Sequence, residues 1–281
     1  MNQILQDIKN GFLGLPKAMR YLIAINISMF ILGFFGLYPD LLRMFGYRPN
    51  IESSLTQPWR IITYTFIHSQ SNPFHLLFNM LVLWFFGKPV EESLGTKAFT
   101  SLYFLSAVGG ALIQMIVAHF TGDGLNIPVI GASGAVMGVT VAFGLFLYPN
   151  MQVLFLFIPM PAKYLVVIFV LLDVLFIGAG DNVARLVHIG GAATAYAIMY
   201  FRTKGYDVVE IFDAISSSLK PKKQPKKHKV NANMHKVQDV EVVDEVAQFE
   251  IDRILDKISK NGYEGLTAEE KQTLFELSKR K

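Results

Sequence analysis

The chain contains no cysteine, which excludes disulfides, thiolate metal sites and a cysteine nucleophile. Charge is scarce as well. Only 17% of the residues are Asp, Glu, Lys or Arg, against about 25% in soluble domains, while 52% are hydrophobic. That balance points to an all-α membrane protein with a polar appendage. The formal net charge is +4, and the basic residues concentrate beyond residue 201, above all in the lysine- and proline-rich tract 220–229. Alone, such a tract could bind nucleic acid. Beside a membrane-spanning stretch it reads as a cytoplasmic topology signal in contact with lipid headgroups, so no nucleic-acid partner is expected. Residues 1–20 are amphipathic and mildly basic, and the first apolar run begins only at Tyr21. No cleavable signal peptide is expected there.

What is present is a series of apolar stretches: 21–38, 75–86, 99–120, 133–147, 164–178 and 184–201. A span needs about 20 residues at 1.5 Å each, so six crossings are expected, the second and fourth short. Residues 39–73 mix polar and apolar residues without a spanning run, as in a loop half-sunk in the interface with Trp59 at headgroup level. Residues 87–96, carrying Lys88, Glu91 and Glu92, are expected in water. Pro159 and Pro161 break the run before the fifth stretch, giving an apolar turn. Six crossings put both termini on one side, and the basic flanks make that side cytoplasmic. The organisation expected is a cytoplasmic segment at 1–20, a membrane domain at 21–202, a basic linker at 203–239, and a small helical hairpin at 240–281. In the last, Val243, Val246, Phe249, Ile254 and Ile258 recur at helical spacing, and Thr267 with Glu270 forms a capping box. The hairpin is a candidate for docking on another surface or for self-association.

Polar groups inside a membrane are costly and tend to be functional. Ser133 stands in a Gly131-Ala-Ser-Gly134 frame, and His188 stands in the last stretch. A hydroxyl becomes a nucleophile when a base takes its proton, and histidine is the usual base. Gly134 and Gly138 are four apart, as are Gly191 and Ala195, so each helix offers a small-residue face for close packing. If those faces meet, Ser133 and His188 come within reach. His75 and Asn79 share one helix face at i, i+4. They could donate to an oxyanion together with backbone amides at the start of the serine helix. Neither Asp nor Glu is placed to orient His188, so a dyad is expected. Asp173, in the fifth stretch, reads as structural, and His68 as a loop histidine.

These motifs together resemble the rhomboid family of intramembrane serine proteases: Gln57-Pro-Trp-Arg60, His75-Leu-Leu-Phe-Asn79, Gly131-Ala-Ser-Gly134 and His188-Ile-Gly-Gly191, in that order on successive stretches. The resemblance covers residues 21–201. It implies a six-helix bundle with a cavity open to the outside and Trp59-Arg60 in an outer-leaflet loop. It also implies Ser133 as nucleophile, His188 as base and acid, and His75, Asn79 and the Ser133 amide as the oxyanion hole. The substrates would be transmembrane segments of other proteins in a bacterial inner membrane, without cofactor or metal. Two positions depart from the family pattern: Ala195 replaces a glycine, and Val187 a smaller residue. A catalytically silent rhomboid-like scaffold would lack the serine or the histidine, and a transporter would show an inverted repeat.

Overall fold

The computed structural model describes residues 6, 10–155, 157–177, 182–207, 253–254, 257–258 and 265–272, without the side chains of 182–184. It comprises two compact units, Met1–Lys220 and Pro221–Lys281.

The described residues of the first unit are mostly helical. α1 (Lys17–Leu32) leads through a π turn into α2 (Tyr38–Phe45). The chain bends at Gly36, whose φ of 83° a side chain would resist. Short helices α3 (Ile51–Thr56) and α4 (Arg60–Thr63) follow. α5 (Pro73–Leu94) and α6 (Thr96–Thr121) are joined through Gly95 at φ 80°. α7 (Ser133–Leu147) precedes a two-stranded antiparallel hairpin, β1 (Gln152–Phe155) with β2 (Ile158–Pro161). α8 (Ala162–Leu175) and α9 (Asn182–Thr203) complete it.

Among the described residues three helical stretches are long and apolar enough to cross a membrane: Lys17–Phe45, α5 and α6. Their outer faces are greasy. On α5, Phe74, Phe78, Leu81 and Phe85 are exposed, while Asn79, Met80 and Leu83 are buried. That stripe at intervals of three and four residues suits lipid on one side and protein on the other. The chain is a multi-pass integral membrane protein.

α9 is wedged between α6 and α7 at backbone distance. A methyl group on Gly190 would lie 2.8 Å from the Gly109 carbonyl oxygen and 2.8 Å from Gly110 Cα on α6. One on Gly191 would overlap the Gly134 carbonyl oxygen on α7. Between lipid-facing helices no hydrophobic force remains, so close van der Waals packing of small residues holds the three together.

Two expectations need correction. Residues 87–94 are the last turns of α5 rather than an aqueous loop, and Glu91 is 2% exposed. Its carboxylate accepts the N–H groups of Ala18 and Met19, both at 2.9 Å, and the Thr96 hydroxyl at 2.8 Å. The first amides of α1 have no partner in their own helix, so this acid serves as their cap from another helix. The turn around Pro159 and Pro161 is a β-hairpin, which tolerates both prolines because it has only two strands, each an edge. Glu91→Leu should lower stability by about 3 kcal/mol or more, since hydrogen bonds to a charged group contribute about 1.5–3 kcal/mol each. Thermal melting in detergent measures this; an unchanged midpoint would contradict the cap.

In the second unit the Thr267 N–H donates to Glu270 Oε2 at 2.9 Å, and the Glu270 N–H to Thr267 Oγ1 at 3.3 Å. This is a reciprocal capping box. Lys257 also donates to Glu270 Oε1 at 2.8 Å. Beyond residue 207 the expected linker lies outside the described residues, as does most of the expected hairpin.

Candidate active site

The loop between α2 and α5 is fastened to the end of α2 through three consecutive carbonyls. Arg60 donates to the Arg43 carbonyl, Trp59 Nε1 to Met44 at 3.1 Å, and Thr63 Oγ1 to Phe45 at 3.2 Å. The last carbonyls of a helix need outside donors, and these side chains supply them. Arg60 is buried in doing so, while Trp59 stays half-exposed.

This anchored loop then holds the segment before α7. Tyr47 and Val129 exchange backbone hydrogen bonds at 3.1 and 2.7 Å, and the Gly131 N–H donates to the Tyr64 carbonyl at 3.1 Å. Gly131 adopts φ 102°, and a β-carbon there would sit 2.5 Å from His75 Nε2. Glycine is required twice over, by the backbone angle and by the imidazole against it. His75 thus packs directly on the segment leading into Ser133.

Ser133 is the first residue of α7, where free amides and the helix dipole favour negative charge. Val187 and Gly191 of α9 flank Gly134. A β-carbon on Gly134 would lie 2.7 Å from Val187 Cγ1 and 3.1 Å from its carbonyl oxygen. One turn on, a β-carbon on Gly138 would lie 3.3 Å from Ala195 Cβ. His188, between Val187 and Gly191 in sequence, therefore stands at the level of Ser133 where α7 and α9 cross. Among the described residues the Ser133 hydroxyl makes no hydrogen bond, to His188 or to any other group. Asn79 Nδ2 donates to the His75 carbonyl at 2.7 Å, which leaves one amide hydrogen for another acceptor.

His188 does have a partner. Its Nδ1 lies 3.1 and 3.2 Å from the two carboxylate oxygens of Asp173 on α8. The expectation that no acid meets this histidine is corrected. Consecutive helices with a short connection run antiparallel, so an acid in the last turn of α8 can face a histidine in the early turns of α9.

His68 lies in the loop before α5, as expected, but is deeply buried there. It is 1% exposed, lies edge-on to His75 with ring centroids 4.9 Å apart, and its Nε2 accepts the Ala132 N–H at 3.4 Å. Burial, with the His75 ring beside it, pushes its pKa down to about 3, against the opposing effect of a hydrogen bond from the ring to the Phe66 backbone. Unfolded, it would bind a proton below about pH 6.5; folded, it stays neutral down to about 3. Stability should fall with acidification through that window, by about 1.4 kcal/mol per pH unit from this group. A melting curve against pH should flatten in His68→Gln, and an identical slope would refute the assignment.

Residues 55–205 match the Rhomboid domain family. The chain belongs to the rhomboid family. Residues 245–280 match a second family, a family of unknown function (DUF6576). The rhomboid domain is similar to RHOMBOID-like protein 12, mitochondrial, of Arabidopsis thaliana, at 32% identity over 51% of this chain and 46% of that one. It is also similar to Rhomboid protein 1, mitochondrial, of Saccharomyces cerevisiae, at 33% over 52% and 41%. The Rhomboid protease GluP of Bacillus subtilis is 28% identical over 63% of this chain and 33% of its own. This rhomboid spans less than half the length of these curated relatives. Within it, the elements described above fall inside the matched region from α4 onward.

Proposed function

We propose that this rhomboid is an intramembrane serine endopeptidase that cleaves transmembrane segments of other membrane proteins. The observation that carries the reading is the backbone contact of Gly134 with Gly191, neighbours in sequence of Ser133 and His188, which supports a meeting of the two at one helix crossing. In the proposed cycle Ser133 attacks the scissile carbonyl while His188 Nε2 takes its proton. The tetrahedral oxygen is held by His75, the remaining Asn79 hydrogen and the Ser133 amide. His188 then protonates the leaving amine, and water, deprotonated by the same ring, releases the acyl group. An intact helix hides its carbonyls, so substrates should carry helix-weakening residues near the cut. The domain would make six crossings of a bacterial inner membrane with both termini cytoplasmic. The tail would meet lipid, a partner or a second copy.

The unbonded Ser133 hydroxyl favours one other reading, a catalytically silent scaffold that binds membrane proteins. Apo catalytic hydrogen bonds are often long and tighten only with substrate, so activity decides. Reconstituted in liposomes with a single-span reporter, the wild type should yield two products and Ser133→Ala none. Equal product from both would remove Ser133 from the reaction; none from either would favour the scaffold.

A further inference from the structure

We propose that Asp173 is a positioning residue for His188, whose Nδ1–H its carboxylate accepts so that Nε2 is left free to take the Ser133 proton. This rests on the protease reading above. The contact is close and two-sided, at 3.1 and 3.2 Å to the two oxygens. Both side chains are largely withdrawn from solvent, at 23% exposure for His188 and 16% for Asp173. An ionised carboxylate can only accept hydrogen bonds, so it selects the tautomer with its proton on Nδ1. A carboxylate held there also stabilises the imidazolium that forms when Nε2 takes the serine proton.

Asp173 sits near the end of α8, a helix whose other faces expose Leu171, Leu172, Val174 and Leu175. An acid among such residues is expensive without a partner, and His188 is the partner the geometry provides. A purely structural contact would leave the rate of serine acylation and kcat unchanged when the carboxylate is removed from a folded protein. A positioning residue would not, and that difference can be measured.

The test follows the acylation of Ser133 by a small fluorophosphonate, which needs no transmembrane substrate, alongside kcat and KM for the reporter. Asp173→Asn should slow labelling and lower kcat by the same factor, about tenfold or more, with KM unchanged. Asp173→Glu, which restores a carboxylate, should recover part of both. In the wild type, long-range ¹⁵N–¹H correlation spectra, with His188→Gln assigning the signal, should place the proton on Nδ1. That last measurement needs no Asp173 variant to fold. Wild-type labelling rate and kcat in Asp173→Asn, or a proton on Nε2 in the wild type, would overturn the assignment while leaving the protease reading intact. Absence of any Ser133 labelling in folded wild type would overturn both.

Discussion

His188→Ala is expected to abolish cleavage of a membrane-spanning substrate, by about 10⁴-fold or more, without loss of the fold. The size of the effect follows from the role proposed for the ring. It is the single base for attack and the single acid for the leaving amine, so removing it leaves only substrate binding and oxyanion donors. The fold should survive because the α7–α9 contact is made by Gly134, Val187 and Gly191, not by the imidazole. Loss of Asp173's partner should cost some stability, visible as a modest drop in melting temperature. Retained turnover would take His188 out of the mechanism, whatever the melting temperature.

Gly191→Ala should have the next largest effect, on stability and activity together. The added methyl would overlap the Gly134 carbonyl oxygen, with Gly134 carbonyl carbon at 2.8 Å and Cα at 3.1 Å. These are backbone atoms of a packed helix and cannot rotate away. Overpacking of this kind typically costs about 1–3 kcal/mol, occasionally more. The two helices must part, and a misplacement of about 1 Å between catalytic groups can cost about 10²-fold. Gly11→Ala is the control, since nothing lies within 4 Å of a methyl there. Melting temperature and turnover of both variants measure this; a Gly191→Ala protein indistinguishable from wild type would mean that α7 and α9 do not touch as described.

Several features of this molecule can be read directly from its residues. The scarcity of charge and the long apolar runs mark a membrane protein. Four short motifs in order point to the family, since each pairs a reactive or polar group with the small residues that let helices approach. Where the sequence misleads, the cause is that a residue's meaning depends on a distant partner. Glu91, beside Lys88 and Glu92, looks like part of a wet loop, yet it caps α1 from across the bundle. Asp173 looks isolated in a greasy helix because its partner is on the next one. His68 reads as an ordinary loop histidine, since only the folded chain brings Ala132 and His75 against it. Gly109, Gly110 and Gly190 form a second close crossing that glycine content alone does not assign to a pair of helices. The hairpin at 152–161 escapes a helix-seeking eye because it is too short for its alternation to stand out.

Proteolysis by this chain requires that the hydroxyl of residue 133 be made nucleophilic by the neighbouring helix. Mass spectrometry of the folded, detergent-solubilised protein after fluorophosphonate treatment tests this most directly. One adduct should form, mapped to Ser133, absent in Ser133→Ala and slowed in His188→Ala. An adduct on another residue, or equal labelling of Ser133 with and without the imidazole, would contradict it.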